Sequence, residues 1–159
     1  CKENIVMEKF REITGVPDLR CRYDEVTEPI AKIVFGCAEE TEMARLEAFL
    51  RSHPMAERFD LIRSERTLFE ILPKGSGKGT AIAKLAEHLG IDIQRTVAIG
   101  DYNNDIGLFK SAAVGIAVSN ACKDALDAAE FVTVSNEEHA IAQVIYDIEN
   151  NKYPIEPSL

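Results

Sequence analysis

Apolar positions change spacing repeatedly along the chain, and each change predicts an element. Val6, Met7, Phe10 and Ile13 recur at helical spacing and predict a helix over residues 5–13, stopped by Gly15 and Pro17. Residues 18–29 are polar and end in Thr27-Glu28-Pro29, a connector. Ile30 to Gly36 reads as a strand. Glu39 to Arg51 reads as a helix with Met43, Leu46 and Leu50 on one face, ended by Ser52-His53-Pro54. Glu57 to Arg63 alternates and predicts a strand, Ser64-Glu65 a tight turn, and Thr67 to Leu72 the returning strand of a hairpin. Strand, helix and hairpin make an α+β unit of the kind used as a lid or accessory domain. His53 fits a helix C-terminus, where the dipole favours it, better than a catalytic role.

The pattern then becomes strictly alternating. A glycine-rich loop at residues 73–80 opens a helix with Ile82, Leu85 and Leu89 on one face, ended by Gly90. Val97-Ala98-Ile99 is a buried strand followed by Gly100, a polar loop and a helix to Ala113. Val114 to Val118 is a second strand, followed by a helix that Asn120 can cap, with Cys122, Ala125, Leu126 and Ala129 inward. Phe131 to Val134 is a third strand. Ser135 and Glu138 have capping-box spacing ahead of a helix with Ile141, Val144, Ile145 and Ile148 on one face. Three strand–helix alternations with short connections predict a parallel sheet with helices on its faces. Residues 151–159, with two prolines, read as a loosely held tail.

Composition narrows the field mainly by exclusion. A chain of 159 residues, 46% apolar and 28% charged, suits one domain, or one plus part of another. A net charge of −9 argues against nucleic acid or an anionic membrane as partner. No apolar run approaches the ~20 residues of a membrane span. The four cysteines are scattered without CxxC spacing, which fits a reducing cytoplasm rather than zinc or a disulfide framework. The chain opens on Cys1 rather than Met, which reads as a fragment.

Two loops carry the candidate chemistry. Asp101, Asn103, Asn104 and Asp105 follow a strand end, where open α/β sheets bind ligands. The same residue types also suit turns and helix caps. Lys78 sits among glycines at a helix start, where free N–H groups and the dipole attract anions. A nucleotide-binding P-loop is disfavoured: Leu72 stands where its first glycine belongs, and Gly79 where its Ser/Thr belongs.

Glu70-Ile71-x-Pro73-Lys74-Gly75-Ser76-Gly77-Lys78-Gly79-Thr80, then Ala98-Ile99-Gly100-Asp101-Tyr102-Asn103-Asn104-Asp105, then Gly115-Ile116-Ala117-Val118-x-Asn120-Ala121 are specific in combination. The stretch from Leu68 to Ile148 resembles the C-terminal half of a haloacid dehalogenase (HAD) superfamily phosphatase of the Cof type. Ala129 to Thr133 and Ser135-Asn136 fit too. Residues 30–72 are more weakly similar to the closing half of that family's mixed α/β cap. The resemblance implies residues 1–72 as a partial α/β cap, 73–150 as the C-terminal part of a Rossmann-like core, and 151–159 as a tail. It also implies Mg²⁺ dependence and hydrolysis of a small phosphorylated metabolite, such as a sugar phosphate, through an aspartyl-phosphate. Carried over by position, Lys78 holds the substrate phosphate, Asn104 donates to a phosphate oxygen, Asp101 binds Mg²⁺, and Asp105 orients a metal-bound water or Lys78.

One departure limits the comparison. The family's Asp-x-Asp, whose first Asp is the nucleophile, occurs nowhere here: Asp60 is followed by Leu-Ile and Asp92 by Ile-Gln. Covalent phosphoryl transfer needs a nucleophile. The expectation is therefore a C-terminal piece, inactive alone, with the strand at Val97–Ile99 left as an open edge. Such an edge invites a homodimer or the missing N-terminal half. The alternative is a non-catalytic anion-binding or interaction module of the same fold.

Overall fold

The computed structural model describes residues 5–15 and 21–155. The expected helix stop at Pro17 and the last four residues of the tail lie outside them, as do the side chains of Met7 and Phe10. The chain divides into two compact units, Cys1–Lys74 and Gly75–Leu159.

In the first unit, helix α1 spans Ile5–Thr14. Strand β1 (Ile33–Gly36), helix α2 (Glu40–Ser52) and strands β2 (Phe59–Glu65) and β3 (Leu68–Pro73) follow. The sheet has the order β1-β3-β2 and is antiparallel throughout. β3 is central, and its Leu68 and Phe69 are buried, as is Met43 of α2. The hairpin turn falls at Arg66-Thr67, two residues beyond the expected Ser64-Glu65. The ladder shifts register between Arg63 and Glu65, and the Arg63 guanidinium donates to the Arg66 carbonyl at 2.9 Å. A bulge thus lengthens β2 and moves the turn.

In the second unit, strands β4 (Val97–Gly100), β5 (Val114–Val118) and β6 (Phe131–Thr133) form a parallel sheet in that order. Helices α3 (Lys78–Leu89), α4 (Ile106–Ser111), α5 (Lys123–Ala128) and α6 (Ala140–Glu149) connect and flank them. Side chains alternate across the sheet, so two cores form. Ala98 and Ala117 pack with Phe109 of α4 and Ala125 of α5. Val114 and Ile116 pack with Val144 of α6 and Tyr153, bordered by Val97, Ile99 and Phe131. All five residues of β5 are buried. Gly115 makes room for α4: a Cβ there would lie 2.7 Å from the Phe109 Cβ. The architecture is α/β: the second unit is a partial Rossmann-like core and the first is an α+β unit.

Four expectations need correction. Leu85 and Leu89 of α3 are exposed, and the buried residues of that helix are Gly79 and Ala86. Ile141, Ile145 and Ile148 of α6 are also exposed, and Ala140, Val144 and Asp147 turn inward. In α3 the contact runs through Gly79, where a Cβ would meet the Gly107 backbone, and of the expected α6 face Val144 is buried as read. The Ser135/Glu138 capping box closes a short 3₁₀ turn, Asn136–Glu138, and α6 starts only after His139 at φ 59°. Asn120 caps no helix: its amide donates to Asn136 Oδ1 at 2.8 Å, and Cys122 takes the N-cap position of α5.

The expected loose tail is tied down at least through Tyr153. Its ring is buried edge-on against Phe131, with centroids 5.2 Å apart. Its hydroxyl donates to Asp147 Oδ2 at 3.1 Å. Burying an aromatic body while pairing its polar tip outweighs the two prolines as a determinant.

Candidate active site

The loop at the carboxyl end of β4 is built around one buried carboxylate. After Gly100 the chain passes Asp101 and Tyr102, makes a 3₁₀ turn at Asn103–Asp105 and enters α4. Asp105 Oδ2 accepts the backbone N–H groups of Asp101 at 3.0 Å and Tyr102 at 3.3 Å. Asp105 Oδ1 accepts Lys78 Nζ at 2.5 Å. The Asp105 side chain is 6% exposed and that of Lys78 51%, so the ammonium keeps one side open to solvent. Gly100 permits the fold-back: a Cβ there would lie 2.6 Å from Asp105 Cγ.

Asp101 is exposed, but its backbone is gripped twice. Its N–H goes to Asp105, and its carbonyl accepts the Cys122 N–H at 2.9 Å. The Cys122 thiol donates to Asn103 Oδ1 at 3.0 Å. The loop after β5 thereby buttresses the loop after β4. Farther along the same strand ends, the Asn136 N–H donates to Asn120 Oδ1 at 3.2 Å, reciprocating the Asn120 amide. Asn104 lies in the same turn as Asp101, and its Oδ1 is buried with no hydrogen-bond partner among the described residues.

Lys78 is the first residue of α3, after an N-cap, Gly77, that has no capping side chain. The first helical bond runs from the Ala81 N–H to the Gly77 carbonyl at 3.1 Å. The N–H groups of Lys78, Gly79 and Thr80 therefore have no partner within the helix, the usual state of a first turn and a favourable one for an anion. Leu72, where a P-loop needs glycine, is in β3 opposite Asp60.

The residues singled out in the sequence divide as follows. Lys78 and Asp105, 27 positions apart, are in direct contact. Asp101 and Asn104 share the loop that Asp105 shapes. Not foreseen were the support given by Cys122 and the Asn120–Asn136 pair. Cysteine and asparagine occur too widely in structural roles for either to be singled out without the fold.

Among the described residues no group of three or more His, Cys, Asp and Glu side chains is set to hold a metal. Asp101 presents an exposed carboxylate at the end of β4, a hard oxygen ligand of the kind Mg²⁺ prefers. The orphaned Oδ1 of Asn104, in the same loop, calls for a donor or a cation. The donor set fits Mg²⁺ in kind, and water and substrate oxygens complete such sites.

A lysine, a helix N-terminus and an exposed carboxylate thus meet at the carboxyl end of a parallel strand, the binding region of Rossmann-like proteins. Comparison with known proteins identifies the family. The family described as haloacid dehalogenase-like hydrolase matches residues 2–145. The 5-amino-6-(5-phospho-D-ribitylamino)uracil phosphatase YwtE of Bacillus subtilis (strain 168) is 32% identical over 149 residues, covering 92% of this chain and 51% of that protein. A phosphoglycolate phosphatase of Methanosarcina acetivorans is 30% identical over 164 residues, covering 92% of this chain and 73% of its own. The crystal structure of a haloacid dehalogenase-like hydrolase from Bacteroides thetaiotaomicron superposes with a TM-score of 0.70 at 25% identity, covering 91% of this chain and 55% of that one. The chain belongs to the haloacid dehalogenase-like hydrolase family, as its motifs imply. It spans about half the length of the first curated relatives it matches.

Proposed function

We propose that this chain supplies the phosphate- and cation-binding half of a phosphatase acting on a small phosphorylated metabolite. The observation that carries the reading is the Lys78–Asp105 pair at the open end of the parallel sheet. Asp105, fixed by two backbone N–H groups, holds the ammonium in place. Lys78 offers its solvent-facing side to a phosphate oxygen, and the first-turn N–H groups of α3 add partial positive charge. Asn104 donates its amide to a second oxygen. Asp101 binds Mg²⁺, which supplies positive charge to offset that of the phosphate. Preorganised charge of this kind is the main protein contribution to phosphoryl transfer. Its phosphatase relatives support the reading, and free Cys21, Cys37 and Cys122 suit a thiol-reducing compartment such as the cytoplasm.

The chain contains no Asp-x-Asp, so the covalent nucleophile comes from elsewhere. The test is hydrolysis of p-nitrophenyl phosphate with Mg²⁺, by this chain alone and mixed with a family domain that carries Asp-x-Asp. No turnover alone, with turnover on mixing that Asp101→Ala abolishes, is the expected result. Turnover by the purified chain alone overturns the assignment of the nucleophile.

We further propose that β4 pairs with another strand, from a second copy or from that complementary domain. β4 is an edge of its sheet, and Leu85, Leu89, Ile141 and Ile145 in the same unit are exposed apolar residues. No nucleic acid or membrane is proposed as partner. No helix among the described residues is long and apolar enough to cross a membrane. Size-exclusion chromatography across a concentration series tests the pairing. A monomer at every concentration that also ignores the complementary domain contradicts it.

A further inference from the structure

α3 and α4 approach tightly at Gly79, the residue after Lys78, and the approach depends on a missing side chain. Gly79 is buried. A Cβ at Gly79 would lie 2.7 Å from Ser111 Oγ, 2.8 Å from the Gly107 carbonyl carbon, and closer still to that carbonyl's oxygen. The obstacle is backbone as well as side chain, so it cannot simply swing aside. Gly79 is the second residue of α3. Its backbone is not among the glycines with positive φ, so conformation does not call for glycine there. The requirement is one-sided: a Cβ at Gly107 would meet only the Gly79 nitrogen, at an ordinary 3.9 Å.

We infer that Gly79 is a positioning residue: the absence of its side chain lets α3 press onto α4, and that contact sets the Lys78 ammonium against Asp105. The inference rests on the reading of Lys78 as the phosphate-holding group. The geometry is direct. Lys78 precedes Gly79, and Asp105 lies two residues before Gly107, so the ion pair and the glycine contact share one crossing. A methyl group at position 79 forces the helices apart there. A displacement on the order of 1 Å is enough to cost a preorganised site as much as ~10²-fold. The lysine stem is flexible and could follow the helix, so the test measures whether the pair survives.

The test is a double-mutant cycle with Lys78→Met and Asp105→Asn, followed by urea denaturation, in the wild-type and Gly79→Ala chains. Affinity for inorganic phosphate is titrated in parallel. Contacting residues couple measurably in such cycles, and Gly79→Ala is expected to cut the coupling to below about half. Its phosphate Kd is expected to rise about tenfold, or ~1.4 kcal/mol. Gly107→Ala, which adds a methyl group to the same crossing without a clash, is expected to preserve both. If Gly79→Ala does not fold, Ser111→Val enlarges the other side of the contact and takes its place. Equal coupling in both backgrounds, or none in the wild type, overturns the inference. A fall in coupling while wild-type phosphate binding proves absent or indifferent to Lys78→Met upholds the positioning role and defeats the phosphate reading instead.

Discussion

Asp105 Oδ2 lies 3.0 Å from the backbone nitrogen of Asp101, so the residue that pairs with the lysine also shapes the loop that presents the exposed carboxylate. One buried side chain serves both. Removing it leaves the Asp101 and Tyr102 N–H groups without their charged acceptor. Hydrogen bonds to charged groups contribute about 1.5–3 kcal/mol, and the pair with the half-exposed lysine adds up to about 1 kcal/mol. Asp105→Ala is expected to lower stability by ~2–4 kcal/mol in urea denaturation. Asp105→Asn, which keeps an acceptor oxygen, is expected to cost about half as much. Equal losses would show that the backbone bonds contribute nothing.

Lys78 is a different case, because half of its side chain faces solvent. Lys78→Met leaves a buried Asp105 charge that still accepts two backbone N–H groups, so the fold survives. The expected loss is in anion binding. A charge-assisted bond of ~1.5–3 kcal/mol converts to a roughly 10- to 150-fold weaker affinity for inorganic phosphate. Calorimetric titration of the two chains measures it. An unchanged Kd would remove Lys78 from the site.

The alternation of strands and helices was legible because β4, β5 and β6 are short apolar runs bounded by turn residues. The faces of α2 and α5 were legible too, but those of α3 and α6 were not: a reading by hydrophobicity puts Leu85, Leu89, Ile141 and Ile145 inward, whereas they are exposed, and of the expected α6 face Val144 alone is buried, beside Ala140. At Gly79 the close approach of Gly107 demands a missing side chain, and the spacing of large residues carries no record of that. The candidate site was legible as two loops with suggestive residues. That they meet was not, since the Lys78–Asp105 contact spans 27 positions and depends on how α3 crosses α4. The resemblance implied only that Asp105 orients a metal-bound water or Lys78, and family membership is borne out.

Gly100 is held by sterics. Its backbone is not in the left-handed region, yet a Cβ would lie 2.6 Å from both Asp105 Cγ and Oδ2. Gly100→Ala must therefore expel the Asp105 side chain or shift the loop. Overpacking of this kind costs about 1–3 kcal/mol. The expected signature is loss of stability that does not add to that of Asp105→Ala, because both break the same fold-back. Full additivity in the double variant would separate the two residues.

Acid stability turns on Asp147. The Lys152 ammonium holds its carboxyl below the usual aspartate range, aided by hydrogen bonds from Gln143 and Tyr153 and opposed by burial. A carboxyl whose pKa is lower in the folded state stabilises the fold above its unfolded pKa of about 3.8, and that contribution is lost as pH falls through the folded value. Lys152→Met removes the largest cause, so its melting temperature should depend less steeply on pH below about 4 than that of the wild type. Parallel slopes in thermal melts would place the acid sensitivity elsewhere.

Alkaline stability turns on the neighbouring phenol. Burial, then the hydrogen bond to Asp147, pushes the Tyr153 hydroxyl up to about 12 from an ordinary 10.0. The folded state thus keeps a proton that the unfolded state has released. Between those values the unfolded chain binds fewer protons, so stability falls as pH rises. Below about pH 10 the contribution is complete, and by about pH 12 it is gone. Tyr153→Phe keeps the ring against Phe131 and removes the titration. Its melting temperature is expected to start below that of wild type at neutral pH, because Asp147 loses a donor, and to decline less between pH 10 and 12. Convergence of the two melting curves toward high pH is the diagnostic result. A constant offset across the whole range would mean that ionisation of the phenol does not couple to folding.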